Sequence, residues 1–191
     1  MLPNPSAACG YWPNCAVASN KPFTLAWLAL LLLLSGCASQ LPLPSEQPRL
    51  QLPLQLHIQA RNASGSHDQL LVIQQEQQAL RWTLLTPLGV PVARQLLIDG
   101  RWQADGLLPP NAQARELFAA LLFALTPDEQ LDRLYAGQRW SRQQHARRLE
   151  AGGSASWHVR YRQDGSFQLD VGPRLTYGVA PLPDTTGSQH R

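Results

Sequence analysis

Few side chains in this sequence are placed to do covalent chemistry. The five histidines, His57, His67, His145, His158 and His190, are scattered, with no HExxH and no close pair to hold a metal. His57 and His158 fall at polar strand positions, where a solvated imidazole is the ordinary outcome. Gly152-Gly153-Ser154-Ala155-Ser156 lacks the spacing of a nucleophile elbow and reads as a hairpin loop. No glycine-rich phosphate loop is present, so neither catalysis nor a cofactor is expected. What remains is binding and modification chemistry. Arg139, Arg142, Arg147 and Arg148 crowd one segment. They could grip a carboxylate or lipid phosphate through bidentate contacts, or simply line a solvated strand. Cys37, the last of three cysteines, follows an apolar run and two small residues.

That apolar run comprises residues 23–34, 12 residues without a charge. It is shorter than the ~18–20 residues needed to span a bilayer and suits the h-region of a signal peptide. Leu34-Ser35-Gly36-Cys37 resembles the lipobox of bacterial lipoproteins. The resemblance implies diacylation of the Cys37 sulfur, cleavage before it and acylation of the new amino group. An uncleaved anchor helix or a secreted chain with a coincidental cysteine are the alternatives. Two or three acyl chains, at roughly 0.8 kcal/mol per buried methylene, hold a protein on a membrane far better than one. Residues 1–36 are thus expected to be a signal peptide. The stretch before Lys21, with Pro, Gly, Trp and two Cys, is unusual for an n-region and suggests a physiological start within it.

Cleavage before Cys37 leaves 155 of the 191 residues, enough for one domain with a core. That portion keeps all 15 arginines and loses Lys21, the only lysine, for a net charge near +2. So weak a bias gives no argument for nucleic acid. With Cys9 and Cys15 removed and Cys37 lipidated, no thiol remains for a disulfide, a metal or a nucleophile. Ala38 and Ser39 follow the cysteine. By analogy with enterobacterial sorting, where Asp at the first of these retains a lipoprotein in the inner membrane, they favour the outer membrane. The expected location is its periplasmic face, reached through the lipoprotein export and sorting machinery.

Residues 37–49 hold three prolines after the cysteine and are expected to be an extended tether. In polyproline-like form it would hold the domain ~30–40 Å from the lipid surface. Residues 50–60 then alternate strictly, with Leu50, Leu52, Leu54, Leu56 and Ile58 on one side, the cleanest strand signal in the chain. Further strands are expected over 68–78, 80–86 and 93–98. Asp99-Gly100 marks a two-residue hairpin and Trp102 the next short strand. Asn111 can cap a helix over 112–125, and Thr126-Pro127-Asp128-Glu129 resembles a capping box opening a second helix to about Tyr135. Strands return over 139–149, 156–161, 167–171 and 175–179, and residues 183–191 read as a disordered tail.

Thr86-Pro87-Leu88-Gly89 between strands and Ile98-Asp99-Gly100-Arg101 resemble the LolA/LolB type of lipoprotein carrier. More closely, Leu108-Pro109-Pro110 leading into Glu116-Leu117-Phe118-Ala119-Ala120-Leu121 resembles the DUF3261 type of bacterial lipoprotein, often encoded in aryl polyene clusters. The resemblance covers about residues 50–180. It implies an α+β, LolB-like fold over 50–182: an antiparallel incomplete half-barrel closed by two helices over an apolar cavity for acyl chains. Such proteins also carry a protruding apolar loop, and Leu88 with Val90 is the positional candidate for membrane contact. The cavity candidates are Leu117, Phe118, Leu121, Leu122 and Leu125 on the helix stripe, with Trp82.

That stripe has two readings. It covers the sheet, or it also lines a pocket for an acyl or polyene chain; Trp82, Trp102, Trp140 and Trp157 are likewise residues of core type. The expected function is therefore a monomeric, non-enzymatic outer-membrane lipoprotein that binds or transfers a membrane lipid or acylated small molecule. The alternative is an assembly lipoprotein that docks an envelope complex. A solid interior with no room for an alkyl tail would rule out the carrier and leave only an envelope-tethered scaffold.

Overall fold

Period-two alternation drives most of this chain into strands, and the strands pair in a single sheet. The computed structural model describes residues 41–106, 108–150 and 156–183. The expected signal peptide, Cys37, tether residues 38–40, the loop at 151–155 and the tail at 184–191 lie outside the described residues.

Five strands come first: β1 (Leu54–Asn62), β2 (Gly65–Glu76), β3 (Ala79–Leu85), β4 (Pro91–Ile98) and β5 (Arg101–Ala104). Two helices follow, α1 (Ala112–Leu125) and α2 (Asp128–Leu134). The chain then returns through β6 (Trp140–Gln143), β7 (Ala146–Glu150), β8 (Ser156–Tyr161), β9 (Phe167–Val171) and β10 (Leu175–Pro181). The order across the sheet is β5-β4-β3-β2-β1-β10-β9-β8-β7-β6, and each neighbouring pair is antiparallel. Each half is a meander of hairpins, and the β1–β10 ladder is the seam between them. Among the described residues β5 and β6 are unpaired with each other, so the sheet is not closed into a barrel. The α+β class, the antiparallel sheet and the two helices agree with expectation.

One face of the sheet is apolar. Leu56, Ile58, Leu71, Ile73, Trp82, Leu84 and Leu97 are buried on the first half; Leu149, Trp157, Val159, Leu169 and Val179 are buried on the second. Against this face lies α1, whose Asn111 side chain accepts from the Ala114 N–H at 3.0 Å. Every residue from Leu117 to Ala124 is buried. A stretch apolar on all sides, as α1 is from Leu117 to Ala124, must be covered on all sides, and strands of both half-sheets supply that cover. The Asp99-Gly100 hairpin has φ values of 48° and 70°, the left-handed pair of a type I′ turn. Gln77 also adopts a left-handed φ of 53°, so the β2–β3 turn lacked a residue of turn type, and 68–78 read as one strand.

Three local expectations are corrected. The capping box does not form: Thr126 Oγ1 donates back to the Leu122 carbonyl at 2.6 Å, finishing α1, and Pro127 takes the N-cap of α2 without a side-chain cap. The strand expected over 139–149 is a hairpin, β6 and β7, joined by a turn at Gln144 and His145. The tether is not free from Leu41 onward. Ser45 N donates to the Leu134 carbonyl at 2.8 Å, and Gln138 Nε2 donates to the Leu43 carbonyl at 2.7 Å. Arg49 N donates to Gln130 Oε1 at 3.0 Å, and Pro44 and Pro48 are buried. Prolines lack the N–H that a sheet would use, but their rings pack, and the intervening amides find partners on and beyond α2. The extended form expected of the tether is therefore not taken by residues 41–49.

Candidate functional site

The residues expected to line a cavity are core. Leu117 is 2% exposed, and Phe118, Leu121, Leu122 and Trp82 are fully buried. The Phe118 ring lies 5.5 Å from Trp82 and 5.8 Å from Trp102, and Trp82 meets Trp102 edge-on at 5.5 Å. At the other end of α1, Phe123 packs against Tyr135 at 5.2 Å. The helix itself occupies the space that the cavity would need. Of the expected lining residues, Leu117 borders a recess of only about 80 Å³, shared with His67, Gln113 and Tyr177.

Leu125 alone of the expected cavity residues borders a large opening. It is an outward groove of about 910 Å³ between α2 and the docked approach segment. Leu50, Leu54, Leu125 and Pro127 supply its apolar part; Glu46, Arg49, Gln130 and Arg133 stand among its polar lining, with Arg133 paired to Glu46. Its size is that of a site for a small molecule. Sequence periodicity cannot show such a groove, because one wall is a proline-rich segment with no period.

The four arginines do not form one anion site. Arg147 pairs with Val159 on one side and Arg142 on the other, which puts it on the inner face of the sheet. There it is 8% exposed. Its Nη1 donates to the carbonyls of Phe123, Ala124 and Thr126 at 3.1, 3.2 and 2.7 Å, and its Nη2 donates to Asp128 at 2.7 Å. Those carbonyls are the ones a helix end leaves unpaired, so Arg147 terminates α1. Its guanidinium also lies 5.1 Å over the Tyr161 ring, and Tyr161 Oη donates to the Ala124 carbonyl at 2.7 Å. Arg142 reaches the same Asp128 at 3.4 Å, while Arg139 pairs with Glu150 at 2.8 Å. Arg148 points from the outer face. Burial holds the Tyr161 and Tyr135 hydroxyls well above the ordinary phenol range, with the Thr126 side chain at Tyr135 and the Arg147 charge at both pulling the other way.

The histidines at polar strand positions pair with carboxylates on the outer face. His57 Nε2 lies 2.9 Å from Asp68, and His158 lies 3.9 Å from Asp170, which also accepts from Arg160 at 2.7 Å. Burial works against the Asp170 carboxylate, but hydrogen bonds from Gln168 and Thr176 and the Arg160 charge carry its pKa below the usual range.

Leu88 and Val90 are 91% and 57% exposed at the tip of the β3–β4 turn. The turn is closed by Gly89 N donating to the Thr86 carbonyl at 2.9 Å and Val90 N donating to Thr86 Oγ1 at 3.2 Å. The far end of β4 is the Asp99-Gly100 turn, where a Cβ on Gly100 would sit 3.4 Å from the Pro44 carbonyl. The eight residues of β4 therefore separate the Leu88 tip from the docked segment, by about 3.3 Å of rise each.

Among the described residues no three His, Cys, Asp or Glu side chains gather as a metal site, and no helix is long and apolar enough to cross a membrane. A search of curated proteins finds no match. A family model described as a protein of unknown function, DUF3261, matches residues 53–175, which runs from the start of β1 to the start of β10 and takes in both helices. With most of the sheet and both helices inside that match, the chain belongs to the DUF3261 family.

Proposed function

We propose that this is a lipid-anchored envelope protein whose domain holds one acyl-type ligand in the groove beside α2. The observation that carries the reading is that groove: about 910 Å³, with Leu50, Leu54, Leu125 and Pro127 as apolar lining and Arg49 at its border. An acyl chain needs only apolar surface shielded from water, and an anionic head group would meet the guanidinium of Arg49. A LolB-like carrier with its ligand inside the fold is set aside, because the interior around α1 is filled; the site proposed is on the rim.

The lipobox supports the anchor. Four residue steps separate Cys37 from Leu41, no more than about 14 Å of extended chain. Lipid on Cys37 would thus keep the groove end close to its own membrane, which we take to be the periplasmic face of the outer membrane. The Leu88 tip then stands at the other end of the sheet, available to a donor surface.

The test is extraction of the purified full chain, followed by mass spectrometry of what it releases. One acyl-bearing molecule per chain, lost when Leu50 and Leu54 are replaced by Glu, is the expected result. A chain that carries nothing and takes up no fatty acid overturns the ligand reading. A second reading, an assembly lipoprotein, is favoured by one specific observation: the interior around α1 is filled.

A further inference from the structure

The groove beside α2 already carries a carboxylate on one of its cations. Glu46, on the docked approach segment, pairs with Arg133 of α2, and both residues line the groove. Each side chain is more than half exposed, and an ion pair of that kind adds little to stability. Other contacts hold the segment in place. Ser45 N donates to the Leu134 carbonyl at 2.8 Å just before Glu46, and Arg49 N donates to Gln130 Oε1 at 3.0 Å after it. With the backbone tied at both places, the Glu46 carboxylate can leave Arg133 by a change of rotamer alone.

A second cation borders the same opening. Gln130 and Arg133 are three residues apart on α2, which puts them on one face. The bond from Arg49 N to Gln130 therefore brings Arg49 to the side of α2 that carries Arg133. Leu50, next in sequence, begins the apolar wall that Leu54 and Leu125 continue. Among the described residues Arg49 has no salt bridge, and neither has Glu129, the other carboxylate of the lining. The group now on Arg133 is a carboxylate, and the guanidinium fork accepts another on the same terms. A neutral head group gains nothing from that exchange.

We propose that Glu46 is a built-in competitor for the groove, and that the ligand is a fatty-acid-type molecule whose carboxylate displaces Glu46 from Arg133 while its chain lies along Leu50 and Leu54. This rests on the groove reading above and adds to it the charge of the head group and the contact that restrains binding.

The test uses the full chain in nanodiscs with two photoactivatable probes of equal length, decanoate and decanol. Saturation of labelling on the peptides that carry Leu50, Leu54 and Leu125 gives the affinity of each. Glu46→Gln should tighten decanoate about three- to fivefold, and Arg133→Gln should weaken it by a similar factor. In the Arg133→Gln background the gain from Glu46→Gln should vanish, because the two residues act on one contact. Decanol should be indifferent to all three variants. A Glu46→Gln gain that persists without Arg133 would overturn the proposal, since it would report only a lost negative charge near the groove. Decanoate affinity unchanged by Glu46→Gln would overturn it as well. Labelling that saturates with neither probe would instead remove the groove reading itself.

Discussion

Arg147 and Asp128 meet at 2.7 Å across the interval between β7 and the first turn of α2. The carboxylate is 59% exposed while the guanidinium is 8% exposed, so the ion pair is a surface event attached to a buried one. The larger contribution comes from the three carbonyls that Arg147 covers at the end of α1. Arg147→Met should cost about 3 kcal/mol, because it leaves buried acceptors unpaired. Arg148→Met on the outer face should stay within about 0.5 kcal/mol. Urea midpoints at constant slope measure both, and equal losses would refute the division between the two arginines.

Tyr135 is buried and Tyr161 half-buried beside α1, and they differ in what their hydroxyls meet. Tyr161 Oη donates to Ala124, whereas Tyr135 Oη, which faces Thr126, makes no well-formed hydrogen bond among the described residues. Tyr161→Phe should therefore lose about 1 kcal/mol, and Tyr135→Phe should be neutral or slightly stabilising. Thermal melts of the two variants at neutral pH decide this.

The same two hydroxyls set an alkaline limit. Burial raises both above the unfolded value near 10, so the native state keeps protons that the unfolded state releases. Their contribution is complete below about pH 10 and declines above it, by roughly 1.4 kcal/mol per pH unit for each tyrosine until the native hydroxyl itself ionises. Urea midpoints between pH 9 and 12, followed with tyrosinate absorbance, should show the fall. A midpoint that is flat through pH 11 would contradict the burial.

Replacing Leu50 or Leu54 by Glu removes apolar contact worth about 1.5–3 kcal/mol per side chain from the groove. Affinity for a fluorescent fatty acid should drop about tenfold or more, while Leu121→Ala, deep in the core, should lower stability without a selective effect on binding. Titration at a temperature well below each melting point separates the two.

Leu88→Glu alters a side chain that is 91% exposed, so stability should change by no more than about 0.5 kcal/mol. Transfer of the same fatty acid from donor vesicles to the anchored protein should nonetheless slow severalfold. Unchanged transfer would remove the β3–β4 tip from the delivery step.

Much of this fold is legible because alternation and helix capping are local signals. Of the strict alternation over 50–60 only the part from Leu54 becomes β1, residues 50–53 staying outside the sheet, and Asn111 caps α1 as its position demands. The misreadings come from side chains whose partners are remote in sequence. Thr126 turned back to α1 because the Leu122 carbonyl was in reach. Arg147 left the expected arginine cluster because strand parity put it inside, opposite Val159. The helix stripe was visible, but stripe width does not tell whether a helix borders a cavity or fills it. The groove depended on where a proline-rich segment would dock, and no propensity encodes that.

The β1–β10 ladder joins residues such as Ile58 and Val179, which are separated by most of the domain, whereas every other ladder joins strands adjacent in sequence. Each meander can zip up by itself, but neither alone covers the apolar stretch from Leu117 to Ala124 of α1. Folding should thus wait on one late, entropically expensive encounter between chain ends. A chain whose last strand has not yet arrived leaves α1 exposed, and that interval is when it most needs a chaperone.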